Sequence, residues 1–340
     1  MDIEIRSKLH GEKLHTWQRF LANVGLTPDT NLEQTALFWD GETLVATGSR
    51  NANLLKCIAV DPTRQGEGLL AGVLTALRRE AFRDGHRHLF LYTKPENIHL
   101  FTPLFFYPVA QTDRVLLMED KQDGIAGFLE NLSDLSSTDF SVDSSSGKIG
   151  SIVMNCDPFT LGHQYLAETA AAQCDHLYIF VLSEDKGRFP AADRLLMAKM
   201  ATAHLPNVTV LPTGPYLISS TTFPTYFLKE RDKADDIQCM LDIEIFCQHF
   251  VPKFGITHRF VGTEPLSPMT NRYNEVLSHH LPSRGIELCV IPRREIDDTP
   301  VSASAVRAAT DAGDTETVQK LVPKTTFEHI YRQQSKETLQ

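Results

Sequence analysis

The pattern of hydrophobic and polar positions along this 340-residue chain changes near residue 149. In the first part, residues 35–40 and 43–50 are two apolar runs separated by a turn that contains Gly41. Because glycine tolerates the positive φ of a tight turn, this pattern predicts a β-hairpin. Residues 54–60 predict a third strand.

Helical patterns interrupt these strands. Residues 14–24 predict a helix, residues 69–82 carry apolar side chains at helical spacing, and a short helix is expected near Glu96. Residues 88–93 and 114–119 predict two further strands. The order of elements predicts a mixed, largely antiparallel sheet with helices rather than an alternating β-α-β series.

From residue 149 onward, short apolar runs alternate with helical patterns. The predicted helices are residues 163–173 and 191–203, and the predicted strands are residues 149–154, 176–182, 208–211, 258–262 and 286–291. Such alternation predicts a Rossmann-like parallel sheet covered on both faces. Ligands of these sheets bind beyond the carboxyl ends of the strands. Four segments are expected at that edge: residues 155–163, 183–188, 262–264 and 293–304.

A polar, serine-rich stretch separates the two patterns. Residues 131–148, NLSDLSSTDFSVDSSSGK, have the composition of a linker, and residues 124–132 predict a short helix that leads into it. The fold class is therefore α/β, with a domain over residues 1–120, a helix and linker over 121–148, and a second domain over 149–340.

Composition narrows the classes of function. The hydrophobic fraction is 42% and the charged fraction 22%, as in soluble globular proteins. No apolar run approaches the ~20 residues that span a bilayer, and the charged N-terminus lacks a signal-peptide core, so we expect a cytoplasmic protein with no membrane partner. The net charge of −10 argues against a nucleic-acid partner. Six scattered cysteines without a C-x-x-C pair are expected to be reduced core residues.

The stretch NCDPFTLGHQYL, residues 155–166, lies where a predicted strand gives way to a helix. It is either a turn with a helix cap or a phosphate site. Pro158 restricts the turn, Gly162 lets the helix start approach an anion, and His163 can donate to phosphate oxygens.

A second segment, VSASAVR at residues 301–307, is expected at the same sheet edge. Ser302 or Ser304 is predicted to cap the following helix, and Arg307 to supply charge to a phosphate. We expect His163 to hold phosphate and not to act as a nucleophile or metal ligand. Cys156 is expected to be a core residue. Asp242, Glu244 and His249 are interpreted as the solvent face of an amphipathic helix rather than a metal cluster.

Thr160–His163 resembles the H/T-x-G-H signature of the nucleotidyltransferase superfamily related to class I aminoacyl-tRNA synthetases, and residues 301–307 resemble its second signature. The resemblance implies binding of ATP with Mg²⁺, the protein alone providing no metal site. Three catalytic residues are expected. The resemblance implies His163 and Arg307, and Lys186 follows a predicted strand end, where it is either a phosphate ligand or part of a solvated surface loop. The expected ATP-binding residues are Asn155, Pro158, Phe159, Thr160, Gly162, His163, Arg194, Gly262, Glu264, Ser302, Ser304 and Arg307.

DPTRQGEGLLAGVL, residues 61–74, resembles the Q/R-x-x-G-x-G/A loop and helix of the GNAT family of N-acetyltransferases. The resemblance implies that Gln65, Gly66 and Gly68 bind the pyrophosphate of a coenzyme-A-like group. Leu70 departs from the small residue that the family has last. In residues 98–110, Tyr107 is the only candidate acid or base and is interpreted instead as a packed aromatic residue, so binding without acetyl transfer is expected.

Taken with NCDPFTLGHQYL, the stretches ISSTTFPTYFLK (218–229) and FVGTEPLSPMTNRYN (260–274) resemble the citrate lyase ligase family over nearly the full length. The family's activity is AMP-forming acid–thiol ligation: acetate and ATP give acetyl-AMP and pyrophosphate. The thiol of the dephospho-coenzyme-A-derived group on the citrate lyase acyl-carrier subunit then takes the acetyl group. The implied partners are acetate and this subunit. Residues 219–227 are either a wall around the acetate and pantetheine end or a simple loop.

Two alternatives stay open at this point. One is an adenylyltransferase that acts on phosphopantetheine or a mononucleotide, which the GNAT-like half argues against. The other is an acetyl-coenzyme-A-dependent protein acetyltransferase or an inactive binding module. Leu70 and the missing base argue against catalysis of that kind.

Overall fold

The computed structural model describes residues 1–29, 31–135, 147–185, 187–217, 226, 228, 234–265, 267–296 and 299–337. The chain divides into two compact units. The first unit contains Met1–Gly124 and Thr222–Glu244, and the second contains Ile125–Thr221 and Ile245–Gln340. A segment from late in the sequence therefore belongs to the first unit. The division of the sequence at residues 120 and 149 stays a prediction.

The first unit is built on a seven-stranded sheet with strand order β1-β2-β3-β4-β5-β7-β6. Its strands are β1 (Asp2–Arg6), β2 (Gln34–Asp40), β3 (Thr43–Asn51), β4 (Leu54–Val60), β5 (Phe90–Thr93), β6 (Tyr107–Gln111) and β7 (Leu116–Glu119). Its helices include α1 (Gly11–Asn23), α2 (Leu69–Arg83) and α3 (Ile98–Phe101). All pairs are antiparallel except β4 and β5. The predicted mixed sheet is confirmed.

The predicted hairpin joins β2 and β3, with Asp40 paired to Thr43 and Gly41 at φ +60°. Strands β1 and β6 were not predicted. Strand β1 lies at the edge of the sheet with half-exposed or exposed side chains and shows no apolar run. Strand β6 does lie in an apolar run, but it contains Pro108, a residue that argues against a strand.

Strands β4 and β5 separate soon after they begin to pair. They are in parallel register only at Leu54 with Phe90 and Leu55 with Leu91. Beyond these pairs, β4 contains an irregularity opposite β3, and Cys57 has a positive φ of 48°. The bend directs β4 away from β5, and a cleft opens between the two strands.

The second unit is built on a five-stranded sheet with strand order β10-β9-β8-β11-β12. Its strands are β8 (Ile149–Met154), β9 (His176–Val181), β10 (Val208–Pro212), β11 (His258–Gly262) and β12 (Glu287–Ile291), and all pairs are parallel. A small antiparallel pair, β13 (Glu295–Ile296) and β14 (Thr299–Pro300), follows. The predicted parallel sheet is confirmed, with each strand placed within one residue of its predicted ends.

The remaining helices are α4 (Gly124–Leu135), α5 (Leu161–Ala171), α6 (Ala191–Thr202), α7 (Ala234–Ile245), α8 (Val251–Phe254), α9 (Pro268–His280), α10 (Ala303–Asp311), α11 (Thr315–Leu321) and α12 (Lys324–Glu337). A π-helical turn, Phe246–Phe250, links α7 to α8. The strand order of the second sheet reverses between β8 and β11, which is the switch point where open α/β sheets bind ligands.

Two details differ from the sequence prediction. Helix α4 continues to Leu135, so the first residues of the predicted linker are helical, and Leu132 is buried. Residues 136–146 lie outside the described residues. Asp242 and Glu244 are buried instead of facing water, because this end of α7 is covered on all sides: Leu241, Ile243 and Ile245 are buried as well. His249 is half-buried.

Candidate functional site

A cavity of about 630 Å³ lies at the carboxyl ends of β8, β11 and β12. Eight of the predicted ATP-binding residues line it: Asn155, Thr160, Gly162, His163, Gly262, Glu264, Ser302 and Ser304. They come from three separate parts of the sequence, and the parallel sheet brings them to one edge.

The first turn of α5 is closed by a reciprocal cap. The Thr160 hydroxyl accepts from the His163 backbone N–H at 3.3 Å, and the His163 Nδ1 accepts from the Thr160 backbone N–H at 3.0 Å. Because Nδ1 serves as an acceptor, the neutral ring carries its proton on Nε2. His163 therefore keeps a hydrogen-bond donor for a ligand while its other nitrogen caps the helix. The cap and the phosphate site, alternatives in the sequence, are compatible in the structure.

The charge state of His163 is set by its surroundings. Burial, and to a smaller extent the nearby positive charge of Arg293, lower the pKa of His163 to about 4. The ring is therefore neutral at pH 7. It is suited to donate a hydrogen bond to an oxyanion and not to act as a cation or a general acid.

Two helix N-termini meet at the cavity. A Cβ atom on Gly162, in the first turn of α5, would lie 3.4 Å from the Val301 carbonyl oxygen, which immediately precedes α10. Ser302 caps α10 by accepting from the Ala305 N–H at 3.1 Å, which confirms Ser302, of the two predicted serines, as the cap. Helix N-termini offer free N–H groups and a favourable dipole for anions, so this edge is suited to phosphate.

Arg293 and Glu264 form an ion pair at the cavity wall, with the Arg293 Nη1 2.6 Å from the Glu264 Oε1. The Arg293 Nε also donates to the Val301 carbonyl at 3.2 Å, and the same Glu264 oxygen accepts from the Ser267 N–H at 3.0 Å. Glu264 thus fixes the loop after β11 and the cation beside it. Arg293 lies in the segment predicted at this edge, but no individual role was predicted for it.

Arg194 is placed beneath the motif loop rather than in the cavity lining. Its side chain is fully buried, and the guanidinium donates to the Asn155 carbonyl and side-chain oxygens at 2.7 and 2.6 Å and to the Phe189 carbonyl at 3.1 Å. These contacts already occupy the N–H donors with which Arg194 would bind a phosphate. The structure therefore favours a supporting role for Arg194.

Arg307 is likewise outside the cavity lining. Its guanidinium donates to the Asp157 carbonyl oxygen and to the Ser304 hydroxyl, and it lies 3.5 Å from the Asp157 carboxylate. Pro158 and Phe159 are buried, and the Phe159 ring lies 5.5 Å from the His163 ring, which it supports. Lys186 lies outside the described residues, so its predicted role stays a prediction.

Asp157 connects the motif loop to two other segments. Its carboxylate accepts from the backbone N–H groups of Arg188 and Phe189 at 3.0 and 2.9 Å, besides its contact with Arg307. A Cβ atom on Gly187 would lie 2.8 Å from this carboxylate. The backbone at Gly187 therefore lies closer to Asp157 than a residue with a side chain would allow. Asp157 was not singled out from the sequence.

One face of α9 also lines the cavity and was not predicted. Thr270, Tyr273 and Asn274 lie on this face, and the Asn274 side chain donates to the Gly262 carbonyl at 3.0 Å. The sequence signal that could have identified them is their i, i+3, i+4 spacing, which places three polar side chains on one face of a helix. The family resemblance of residues 260–274 assigns no role to these three residues.

Among the described residues, neither an activated nucleophile nor a metal cluster accompanies these groups. Cys156 is fully buried and burial raises the pKa of its thiol well above the ordinary value, so it remains a protonated core residue. Across the described parts of the chain, no group of three or more His, Cys, Asp or Glu side chains is placed to hold a metal ion. The site offers amide, hydroxyl and imidazole donors beside a cation, which suits stabilisation of negative charge on phosphate oxygens.

A second cleft, of about 570 Å³, lies in the first unit between the diverging β4 and β5. Gln65, Gly66 and Gly68 line it, as does Leu70. Gly66 and Gly68 have φ of +87° and +77°, and the space that a Cβ atom would occupy on each is open, so their backbone is accessible to a ligand. Helix α2 begins directly after Gly68.

Comparison with known proteins gives consistent matches. The family model described as "Citrate lyase ligase C-terminal domain" matches residues 149–330. A citrate (pro-3S)-lyase ligase from Klebsiella pneumoniae is 40% identical over 317 residues, covering 92% of this chain and 91% of that protein. One from Escherichia coli (strain K12) is 36% identical over 325 residues, covering 94% and 90%.

A shorter match covers less than half of the chain. The phosphopantetheine adenylyltransferase of Streptococcus equi subsp. zooepidemicus is 25% identical over 147 residues, covering 42% of this chain and 88% of that protein. Among the residues that the structure describes, no helix is long and apolar enough to cross a membrane.

Proposed function

Because the chain belongs to the citrate lyase ligase family, we propose that it uses ATP and acetate to acetylate the thiol of the prosthetic group on the citrate lyase acyl-carrier subunit. This makes it an AMP-forming acid–thiol ligase that activates citrate lyase. The observation that carries the ATP-dependent step is the meeting of the α5 and α10 N-termini with the His163 ring at one cavity.

In the first step, an acetate oxygen attacks the α-phosphorus of ATP. The bond from that phosphorus to the bridging oxygen breaks, and pyrophosphate leaves with the electron pair, which gives acetyl-AMP. Negative charge grows on the leaving group, so donors placed on its oxygens lower the barrier. We assign this task to the His163 Nε2–H and the N-terminal amides of α5 and α10, with Arg293 as the nearby cation.

In the second step, the sulfur of the carrier thiol attacks the acetyl carbonyl carbon. The bond from that carbon to the AMP oxygen breaks, AMP leaves, and the thiol proton is released to water. The fully buried Cys156 takes no covalent part. Positioning of the two reactants supplies most of the rate in such a scheme.

Arg307 and Lys186 keep their proposed roles as cations for the phosphates. For Arg307, this role requires exchanging its contact with Asp157 for a phosphate oxygen, since its guanidinium now lies on that residue. Mg²⁺ is proposed to arrive bound to the ATP phosphates, which supply oxygen ligands of the kind it prefers.

We further propose that the cleft of the first unit holds the dephospho-coenzyme-A-derived arm of the carrier. The accessible backbone at Gly66 and Gly68 suits the pyrophosphate, and the open edges of β4 and β5 suit the amide groups of the pantetheine chain. A cytoplasmic location is proposed for the enzyme, in keeping with its small-molecule substrates.

ATP–pyrophosphate exchange tests the ligase assignment. Exchange is expected with acetate and not with phosphopantetheine. The 25% identical adenylyltransferase favours that activity as the second candidate, and exchange that depends on phosphopantetheine alone would establish it instead.

The arm site is tested by Gly68→Ala, with Gly85→Ala as its matched control. Both glycines flank α2 at a positive φ with open space at the Cβ position, but only Gly68 lines the cleft. Gly68→Ala is expected to weaken capture of the carrier while acetate-dependent exchange continues, and Gly85→Ala to leave both unchanged. Equal loss of carrier capture in the two variants would argue against the cleft as the arm site.

A further inference from the structure

The carboxylate of Asp157 has two kinds of partner. Each of its oxygens accepts one backbone N–H, from Phe189 at 2.9 Å and from Arg188 at 3.0 Å. The Arg307 guanidinium lies further away, at 3.5 Å. Charge-assisted hydrogen bonds usually measure about 2.7–2.9 Å, so the arginine makes the looser contact with this carboxylate. Because the Asp157 side chain is only 7% exposed, the backbone groups are its closest source of hydrogen bonds.

Arg307 is held at the edge of the ATP cavity rather than far from it. Its guanidinium donates to the Asp157 carbonyl oxygen and, at 3.1 Å, to the hydroxyl of Ser304, which lines the cavity. The Arg307 side chain is 33% exposed, so its guanidinium is accessible. It therefore needs no movement of α10 to reach an anion bound beside Ser304.

Departure of Arg307 would leave the Asp157 carboxylate hydrogen-bonded. Removing the partner of a buried charge is costly when nothing else satisfies that charge. Here both carboxylate oxygens keep their backbone N–H donors, and the Arg188 side chain is held separately by Asp311 at 3.0 Å. Asp157 can thus give up Arg307 and take it back. It competes with any phosphate in the cavity for the same cation.

We propose that Asp157 is a positioning residue that keeps the affinity for pyrophosphate low by competing for Arg307. The inference rests on the proposed function, since it takes Arg307 to be a cation for the phosphates of ATP. Once acetyl-AMP has formed, pyrophosphate is the product that Arg307 holds. Return of the guanidinium to Asp157 replaces the contact that is lost when pyrophosphate leaves. Asp157 therefore promotes release of this product and favours the forward direction of the first step.

Calorimetric titration of the full chain with magnesium pyrophosphate tests the proposal. Asp157→Asn keeps the size of the side chain and an acceptor oxygen but removes the charge. It should bind pyrophosphate about fivefold more tightly than the wild type, the effect of removing one competing, partly exposed ion pair. Asp157→Ser, which keeps a smaller acceptor, should change the affinity in the same direction. A purely structural role predicts the opposite sign, because a loosened motif loop would weaken binding.

Two further variants show whether the effect passes through Arg307. Arg307→Met should weaken pyrophosphate binding about tenfold, the effect of one lost hydrogen bond from a charged group. In this background, Asp157→Asn should produce no tightening. Asp311→Asn is the matched control, because it removes the same charge from a residue that pairs with Arg188 instead. Its affinity should stay within about twofold of the wild type, since that pair is exposed.

Unchanged or weaker binding in both Asp157 variants, with thermal unfolding showing that they are folded, would overturn the proposal. Equal tightening in Asp311→Asn would overturn it too, since the effect would then be one of overall charge. Unchanged affinity in Arg307→Met would contradict the phosphate role of Arg307 itself, and the inference with it. Weaker binding in Arg307→Met without tightening in the Asp157 variants would overturn the inference alone.

Discussion

At the scale of single residues, His163 serves two neighbours with two different atoms. Its Nδ1 accepts from the Thr160 backbone N–H, and its Nε2 remains a donor on the cavity side. An asparagine at this position places an oxygen near Nδ1 and nothing near Nε2. The substitution therefore separates the cap from the ligand contact.

We predict that His163→Asn retains the fold but lowers acetate-dependent ATP–pyrophosphate exchange by about 10²- to 10³-fold, as for loss of one donor to a developing oxyanion. Urea unfolding should show nearly wild-type stability. His204→Gln is the control, since His204 is half exposed and paired with Glu168 on the surface. Exchange close to the wild-type rate in His163→Asn would contradict the phosphate role.

The lowered pKa of His163 predicts a specific dependence of stability on pH. The native ring has a pKa of about 4, below the ordinary 6.5, so between these values the unfolded chain binds a proton that the native chain does not. The contribution of this ring to the free energy of unfolding is complete above pH 6.5 and falls as the pH is lowered towards 4.

Between pH 7 and pH 5, wild-type stability should consequently decrease more than that of His163→Asn. Urea unfolding at the two pH values measures the difference. An equal change in the free energy of unfolding of the two proteins between pH 7 and pH 5 would show that the native ring titrates like a free histidine. Over the same range, catalytic exchange should show no inflection near pH 6.5 from this residue.

At the scale of secondary-structure elements, the site is made by helix starts rather than by a single loop. Ser302 caps α10 beside the cavity, and Asp314 caps α11 by accepting from the Thr317 N–H at 3.0 Å. Both are ordinary N-caps, and only the first lines the cavity. Comparing these two N-caps therefore distinguishes a contribution to stability alone from a contribution to both stability and ligand binding.

Ser302→Ala and Asp314→Ala should each lower the free energy of unfolding by about 1 kcal/mol, the typical value of an N-cap. Only Ser302→Ala should also raise the KM for ATP, by about fivefold for one lost hydrogen bond. Steady-state kinetics and urea unfolding of the two variants provide the measurements. A similar KM change in Asp314→Ala would mean that the effect is not local to α10.

The helix cap in the motif and the strands of the second sheet were predictable because they depend on neighbouring residues. Thr160 and His163 are three residues apart, and the strand–turn–helix order around them follows from local hydrophobic spacing. The contacts of Arg194 and Arg307 were not predictable in this way. Their guanidinium groups reach Asn155 and Asp157, which are distant in sequence, and a long side chain can be used on either side of a loop.

The burial of two charged residues in α7 was likewise not predictable from the sequence. Asp242 and Glu244 were expected to face water because of their charge, yet both are buried in the structure. Charged residues are almost always exposed unless they have partners, so their types predicted exposure. Their i, i+2 spacing places the two carboxylates on different faces of α7, and only tertiary packing determines that both faces are covered.

At the scale of the whole molecule, the segment Thr222–Glu244 belongs to the first unit although both of its flanks belong to the second. The unit therefore depends on residues that a cut of the sequence at residue 149 would remove. Within α7, Cys239, Leu241 and Ile243 are buried. A fragment of residues 149–340 would carry this apolar surface without the unit that holds the segment.

We predict that such a fragment binds more of the dye ANS (8-anilinonaphthalene-1-sulfonate) than the intact chain at equal concentration, because exposed apolar surface binds this dye. Near-UV circular dichroism of the two samples shows whether the parallel sheet remains packed. A fragment with no excess dye binding would show that residues 222–244 fold equally well within the second half.

The late segment also bears on how the chain is made. Strands β1 to β7 are translated first, then β8, β9 and β10. Only afterwards follows Tyr226, whose carbonyl accepts from Thr27 and whose phenol donates to the Tyr92 carbonyl. Domains generally fold from the N-terminus as they leave the ribosome. The first unit therefore cannot be completed until β8, β9 and β10 of the second unit have been translated, although its own sheet is encoded before them.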